Sequence, residues 1–160
     1  MKKLIVCRHG EIDADRRLSL RGEAQIRDLS ELLRPHVVGD VSEVLVMTST
    51  ALRAIGSARI LIHALGIPGT RVHRDDLLWS GDGPKPRDDF AALVYVETLA
   101  PHAETLVVVT HLEYCLSLPS GYALRNGLKS VPPQLAVNRG QARVLDCETG
   151  ECVTVGGSGS

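Results

Sequence analysis

An α/β fold, a mostly parallel sheet layered with helices and closed by an antiparallel C-terminal hairpin, is predicted for this 160-residue chain. Three observations predict it. Strand-like apolar runs alternate with segments of helical periodicity. One run, residues 105–109, is continuously apolar, as in strands buried on both faces. Near the end, Thr149-Gly150 makes a turn between two further apolar stretches. The length suits one domain with a sizeable core, residues 1–155, and no linker or internal repeat divides it. Residues 156–160, all Gly and Ser, read as a flexible tail.

In order, residues 3–7 form the first strand. Residues 22–33 follow as a helix, with Ala24, Ile26, Leu29, Leu32 and Leu33 at helical spacing and Pro35 ending it. Residues 43–47 are the second strand. Thr48-Ser49-Thr50 cap a strong helix over 51–65, closed by Gly66 and Pro68. Residues 70–73 are a short third strand, and 79–86, rich in Gly and Pro, are loop. A helix is expected over 88–99 and a strand over 105–109, with a short helix after His111. Residues 135–145 and 151–155 complete the hairpin.

Composition excludes several roles. With 44% hydrophobic residues, 23% charged residues and a net charge of -1, the chain has no global field for nucleic acid or anionic membranes. Aromatics are 3%, with one Trp79 and one Phe90, too few for base-stacking platforms. No apolar stretch approaches the roughly 20 residues that span a bilayer. The opening Met1-Lys2-Lys3 and its short strand lack a signal-peptide core, which predicts a cytoplasmic protein. Cys7, Cys115, Cys147 and Cys152 lack metal-type spacing. Cys7 reads as a buried strand residue, and Cys147 and Cys152 as thiols facing across the hairpin. His36, His63, His73 and His102 read as surface or helix-end residues.

The chemistry concentrates where strands end. Arg8-His9-Gly10 follows the first strand, Arg53 lies in the first helical turn after the second, and His111 closes the buried strand at 105–109. Ligands of open α/β sheets bind at such carboxyl ends. A neutral imidazole is a competent nucleophile toward phosphorus, and guanidinium groups match phosphoryl oxygens in charge and geometry. The same cations disfavour imidazolium, which keeps His9 unprotonated and ready to attack. Helix N-termini after Ser49 and His111 would add oriented N–H groups.

Arg8-His9-Gly10, the 16–22 segment, Ser49 with Leu52-Arg53-Ala54, and Val109-Thr110-His111 together resemble the histidine phosphatase superfamily, specifically its small SixA-type phosphohistidine phosphatases. The resemblance covers nearly the whole chain. It implies a three-layer α/β/α sandwich of the phosphoglycerate-mutase-like kind, without a large lid insertion. His9 would be the phosphorylated nucleophile, and Arg8, Arg53 and His111 the phosphate pocket, with Gly10 and Arg16 as further substrate-binding residues. The chain departs from the family at Gly56-Ser57, where Gln-Thr is common, and at Glu113, where SixA-type chains carry Pro. It also has Glu11-Ile12-Asp13-Ala14 where the mutase branch carries Asn. This last difference and the short length disfavour a mutase.

No Glu stands in the Asp75-Asp76-Leu77-Leu78-Trp79 segment, where larger relatives keep their proton donor. Glu11, Asp13, Asp75, Asp76 and Glu113 are the candidate acids, and Glu113 is placed with the catalytic set. A phosphoramidate makes less demand on such an acid than an alkyl phosphate. The expected activity is therefore a phosphatase with a covalent phosphohistidine intermediate, needing no metal or other cofactor and acting on protein phosphohistidine. Alternatives are a phosphatase of a small phosphorylated metabolite and a phosphate- or phosphoprotein-binding module without turnover. Arg16 and Arg21 extend the positive rim toward a substrate protein.

Overall fold

Leu4 and Val6 pack to one side of the first strand and Ile5 and Cys7 to the other, and the same period of two runs through the inner strands. A sheet whose two faces are both apolar needs a helical layer on each. The computed structural model, which describes residues 1–157, has both. In chain order the elements are β1 (Lys3–Arg8), α1 (Leu20–Leu33), β2 (Val44–Thr48), α2 (Leu52–Leu65) and β3 (Val72–Arg74). Then come α3 (Asp89–Leu99), β4 (Thr105–Thr110), α4 (Leu112–Arg125), β5 (Ala142–Asp146) and β6 (Cys152–Val155). The strand order is β3-β2-β4-β1-β5-β6. The first four run parallel, and β5 and β6 are antiparallel additions at the β1 edge.

Ile5, Cys7, Val46, Val107 and Val109 pack under α1 and α2, through Ile26, Leu29, Leu33, Ala58 and Leu61. Leu4, Val6, Met47, Leu106 and Val108 pack under α3 and α4, through Ala92, Val96, Tyr114, Leu118 and Tyr122. The three-layer α/β/α sandwich follows, with no large insertion. No helix among the described residues is long and apolar enough to cross a membrane.

Local chemistry sets the ends. Ser19 caps α1 by accepting from Gly22 N–H at 3.0 Å, and Pro35 turns the chain into a 3₁₀ turn over Arg34–His36. Gly66, at φ +70°, closes α2 in the left-handed conformation. Ser49 does not cap α2 directly: its Oγ accepts from Ala51 N–H at 3.2 Å, and Ala51 itself is the N-cap.

Two expected elements differ. The helix after His111 is not short, running 14 residues through Pro119 to Arg125. Burial of Leu118, Pro119 and Tyr122 against the sheet offsets the hydrogen bond that proline removes. The strand expected from 135 begins only at Ala142. The preceding carbonyls serve guanidinium groups instead of a ladder: Pro133 and Leu135 accept from Arg143, and Val137 accepts from Arg8 at 2.9 Å. At the tail, the Gly156 carbonyl accepts from Gln141 Nε2 at 2.8 Å, and residues 158–160 lie outside the described residues.

Candidate active site

Because β1, β4 and β2 are adjacent and parallel, the residues that follow them emerge at one edge of the sheet. The backbone stitches them together: His9 N–H donates to Thr110 O at 3.2 Å, and Ser49 N–H donates to Val109 O at 3.0 Å. His9 and His111, each 5% exposed, meet edge to face with ring centroids 5.3 Å apart. His9 Nδ1 lies 2.8 Å from Gly10 O. A carbonyl only accepts, so Nδ1 carries the proton and Nε2 keeps its lone pair.

Burial holds both rings uncharged. It pushes His9 down to about 4, against the Gly10 hydrogen bond, with Arg53, Arg8 and Arg139 adding to the depression. His111 is pushed down to about 3, again mainly by burial, with His9, Arg53 and Arg8 contributing. His111 Nε2 sits 3.0 Å from Ser49 Oγ. Its ring stacks on Trp79, with centroids 5.6 Å apart and planes at 24°, and Arg53 Cζ lies 5.2 Å from a Trp79 ring centre. Trp79 is anchored in turn, its Nε1–H donating to Thr50 Oγ1 at 2.7 Å while Thr50 donates to Asp76.

His9, His111, Arg53 and Trp79 line a cavity of about 240 Å³. Arg8, Arg16, Arg53 and Arg139 bring four guanidinium groups, and Glu113 and Asp82 bring two carboxylates. Asp82 pairs with Arg16 at 3.1 Å, and Ser80 Oγ donates to Glu113. Arg8, Arg53 and Arg139 have no carboxylate partner among the described residues. Arg8 also keeps a buried Nε with no partner. Guanidinium groups without ion-pair partners, set around an unprotonated imidazole, have the charge and geometry to hold an oxyanion.

The sequence-derived set is thus brought together at Arg8, His9, Arg53, His111, Arg16 and Glu113. Gly10 is the exception. It does not line the cavity; its N–H donates to Ser57 Oγ at 3.1 Å, and its carbonyl orients His9. A Cβ on Gly10 would lie 2.6 Å from Gly22 O, so the residue serves a close backbone approach rather than a ligand. The other candidate acids are committed elsewhere. Glu11 pairs with Arg21 at 3.1 Å, Asp13 accepts from Asp15 and Arg17 N–H groups, Asp75 accepts from Leu77 N–H, and Asp76 accepts from Thr50. Of the five, Glu113 alone reaches the cavity.

Arg139, Trp79, Ser80 and Asp82 were not singled out from sequence. Arg139 rides on a turn whose next residue, Gly140 at φ +75°, donates its N–H to His9 O at 3.0 Å. The available signal was Asn138-Arg139-Gly140, a turn composition just ahead of a strand that pairs with β1.

No family model and no curated protein matches the sequence. Solved structures do match in fold. A protein histidine phosphatase SixA complexed with tungstate superposes with a TM-score of 0.71 at 18% identity, covering 96% of each chain. A SixA from Nakamurella multipartitia gives 0.66 at 21% identity, over 99% of this chain and 97% of the other. A mycobacterial glucosyl-3-phosphoglycerate phosphatase, in complex with VO3, gives 0.61 at 17% identity, over 91% and 92%. The phosphoglycerate-mutase-like architecture is therefore shared across nearly the whole chain.

Proposed function

We propose that this chain, folded as SixA and related histidine phosphatases are, is a metal-independent phosphatase that carries the phosphoryl group on Nε2 of His9. One observation carries the proposal: Gly10 O fixes the proton on Nδ1, which leaves the Nε2 lone pair on a ring set among three guanidinium groups without carboxylate partners. Arg8, Arg53, Arg139 and His111 hold the phosphoryl oxygens, and Arg16 stands at the rim. His9 Nε2 attacks phosphorus as the bond to the leaving group breaks, and Glu113 gives its proton to the departing nitrogen or oxygen. Water then attacks the phosphohistidine and passes a proton to Glu113. The P–Nε2 bond breaks and inorganic phosphate leaves.

The favoured substrate is phosphohistidine on a protein, because the cavity lies open at the sheet edge with no large insertion over it. Glu113 at the cavity wall supports a second reading, a phosphatase of a small phosphomonoester, whose alkoxide needs an acid more. A substrate panel separates the two. Phosphohistidine peptide turned over well ahead of phosphoserine peptide, phosphotyrosine peptide and sugar phosphates supports the first; broad metabolite activity supports the second. Labelling with a phosphodonor is expected to give an acid-labile, alkali-stable adduct that His9→Ala abolishes. No adduct and no turnover, in a folded protein that still binds vanadate, would mean a binding module instead.

A further inference from the structure

We propose that a groove on the outer face of α2, beside the catalytic cavity, docks an acidic amphipathic helix of the protein whose phosphohistidine is hydrolysed; this rests on the phosphatase reading and specifies its substrate side. The helix α2 has two apolar stripes. Ala54, Ser57, Ala58, Leu61 and Leu65 face the sheet. Leu52, Ile55, Gly56, Arg59 and Ile60 recur at i, i+3, i+4, i+7 and i+8 and line a groove of about 520 Å³ on the other side. Leu52 is 56% exposed there. At Gly56 a Cβ would come within 3.3 Å of Leu18, so glycine keeps the groove floor low. The stripe runs about 12 Å, two helical turns, which suits a helix laid into a groove. The neighbouring edge strand β3, by contrast, is only three residues long.

Charge identifies the occupant. Of the exposed arginines, Arg16, Arg21, Arg27, Arg34, Arg87 and Arg125 each hold a carboxylate. The remaining three, Arg17, Arg59 and Arg74, have no side-chain hydrogen bond or ion pair among the described residues, and all three line this groove. Its one carboxylate, Glu23, is engaged by Arg27 at 3.6 Å. A chain of net charge -1 thus gathers its uncompensated exposed guanidinium groups around one apolar strip. An acidic helix with an apolar face complements it in both respects.

Position ties the groove to catalysis. Arg17 follows Arg16 and Leu52 precedes Arg53, both cavity residues, and Arg74 ends β3 at the sheet edge that presents His9. A helix seated here delivers its neighbouring phosphohistidine to the cavity, and the attraction acts mainly on capture of the substrate.

The test uses the full chain and three probes: free phosphohistidine, a helical phosphohistidine peptide flanked by glutamates, and the same peptide flanked by lysines. The glutamate peptide is expected to exceed the lysine peptide at least tenfold in kcat/KM at low salt, with the gap closing at high salt. In Arg59→Glu/Arg74→Glu that preference should collapse while hydrolysis of free phosphohistidine stays unchanged. Equal use of both peptides, or a preference that survives the double variant, overturns the docking site and leaves the phosphatase reading standing. Anisotropy with the unphosphorylated glutamate peptide separates the opposite case. Binding that depends on Arg59 and Arg74 without hydrolysis of any probe keeps the docking site and removes the phosphatase reading. Displacement of the peptide by an equally charged oligonucleotide, or a solution dimer that buries the groove, also overturns the proposal.

Discussion

His9 and His111 are buried as neutral rings, held at about 4 and about 3 where an unfolded chain would titrate near 6.5. Between those values the unfolded state binds protons that the folded state refuses, so stability rises with pH across that window and is lost as pH falls through it. Urea unfolding at pH 4.5, 5.5 and 7 should show this slope, and His111→Asn should flatten it. Labelling of His9 should nevertheless run at the same rate at pH 5.5 as at pH 7, because its ring stays unprotonated at both. Gly10→Ala forces a methyl to within 2.6 Å of Gly22 O and should cost roughly 1–3 kcal/mol along with most of the labelling. Arg139→Gln should weaken orthovanadate binding about tenfold in calorimetry, by roughly 1.4 kcal/mol, with the fold intact by circular dichroism. His9, Arg8, Arg53 and His111 were legible from sequence, since each lies at or just after the end of a recognisable strand. Arg139 was not, because its place depends on a turn whose Gly140 N–H donates to His9 O, a contact between residues 131 positions apart.

At the scale of elements, the strands were the easiest to read, because unbroken runs such as 105–109 have no use except burial between two layers. Their ends shifted by a residue, so that Arg8, Thr48 and Thr110 belong to β1, β2 and β4. Where sequence misled, tertiary contacts outweighed local composition. The helix after His111 was expected to be short, yet α4 continues through Pro119 and Gly121 because its buried face rests on the sheet. Residues 135–141 read as strand, yet their segment gives its carbonyls to Arg8 and Arg143. The inner stripe of α2 has a measurable share in stability: Leu61, 1% exposed, should lose about 2–5 kcal/mol on replacement by Ala in urea unfolding, with His9 labelling preserved.

For the molecule as a whole, one six-stranded sheet is shared by two apolar clusters, so neither helical layer has a core of its own. Loss of either layer exposes strands on which the other depends. Calorimetric and van't Hoff enthalpies of unfolding should therefore agree within error. A ratio well above one would mean that the α1/α2 and α3/α4 layers melt separately. The layered architecture was legible from the alternation of elements, whereas the strand order that puts β4 between β1 and β2, and so sets His111 beside His9, rests on pairing across the chain.

Trp79 is the sole tryptophan, and it lies against His111 with the Arg53 guanidinium 5.2 Å from its ring centre and its indole N–H tied to Thr50. The cavity at the sheet edge therefore contains its own fluorophore. Protonation of His111, or an oxyanion drawing Arg53 away, alters the immediate surroundings of the indole. Intrinsic emission excited at the indole band then reports cavity occupancy in the unlabelled protein, residue by residue silent everywhere else.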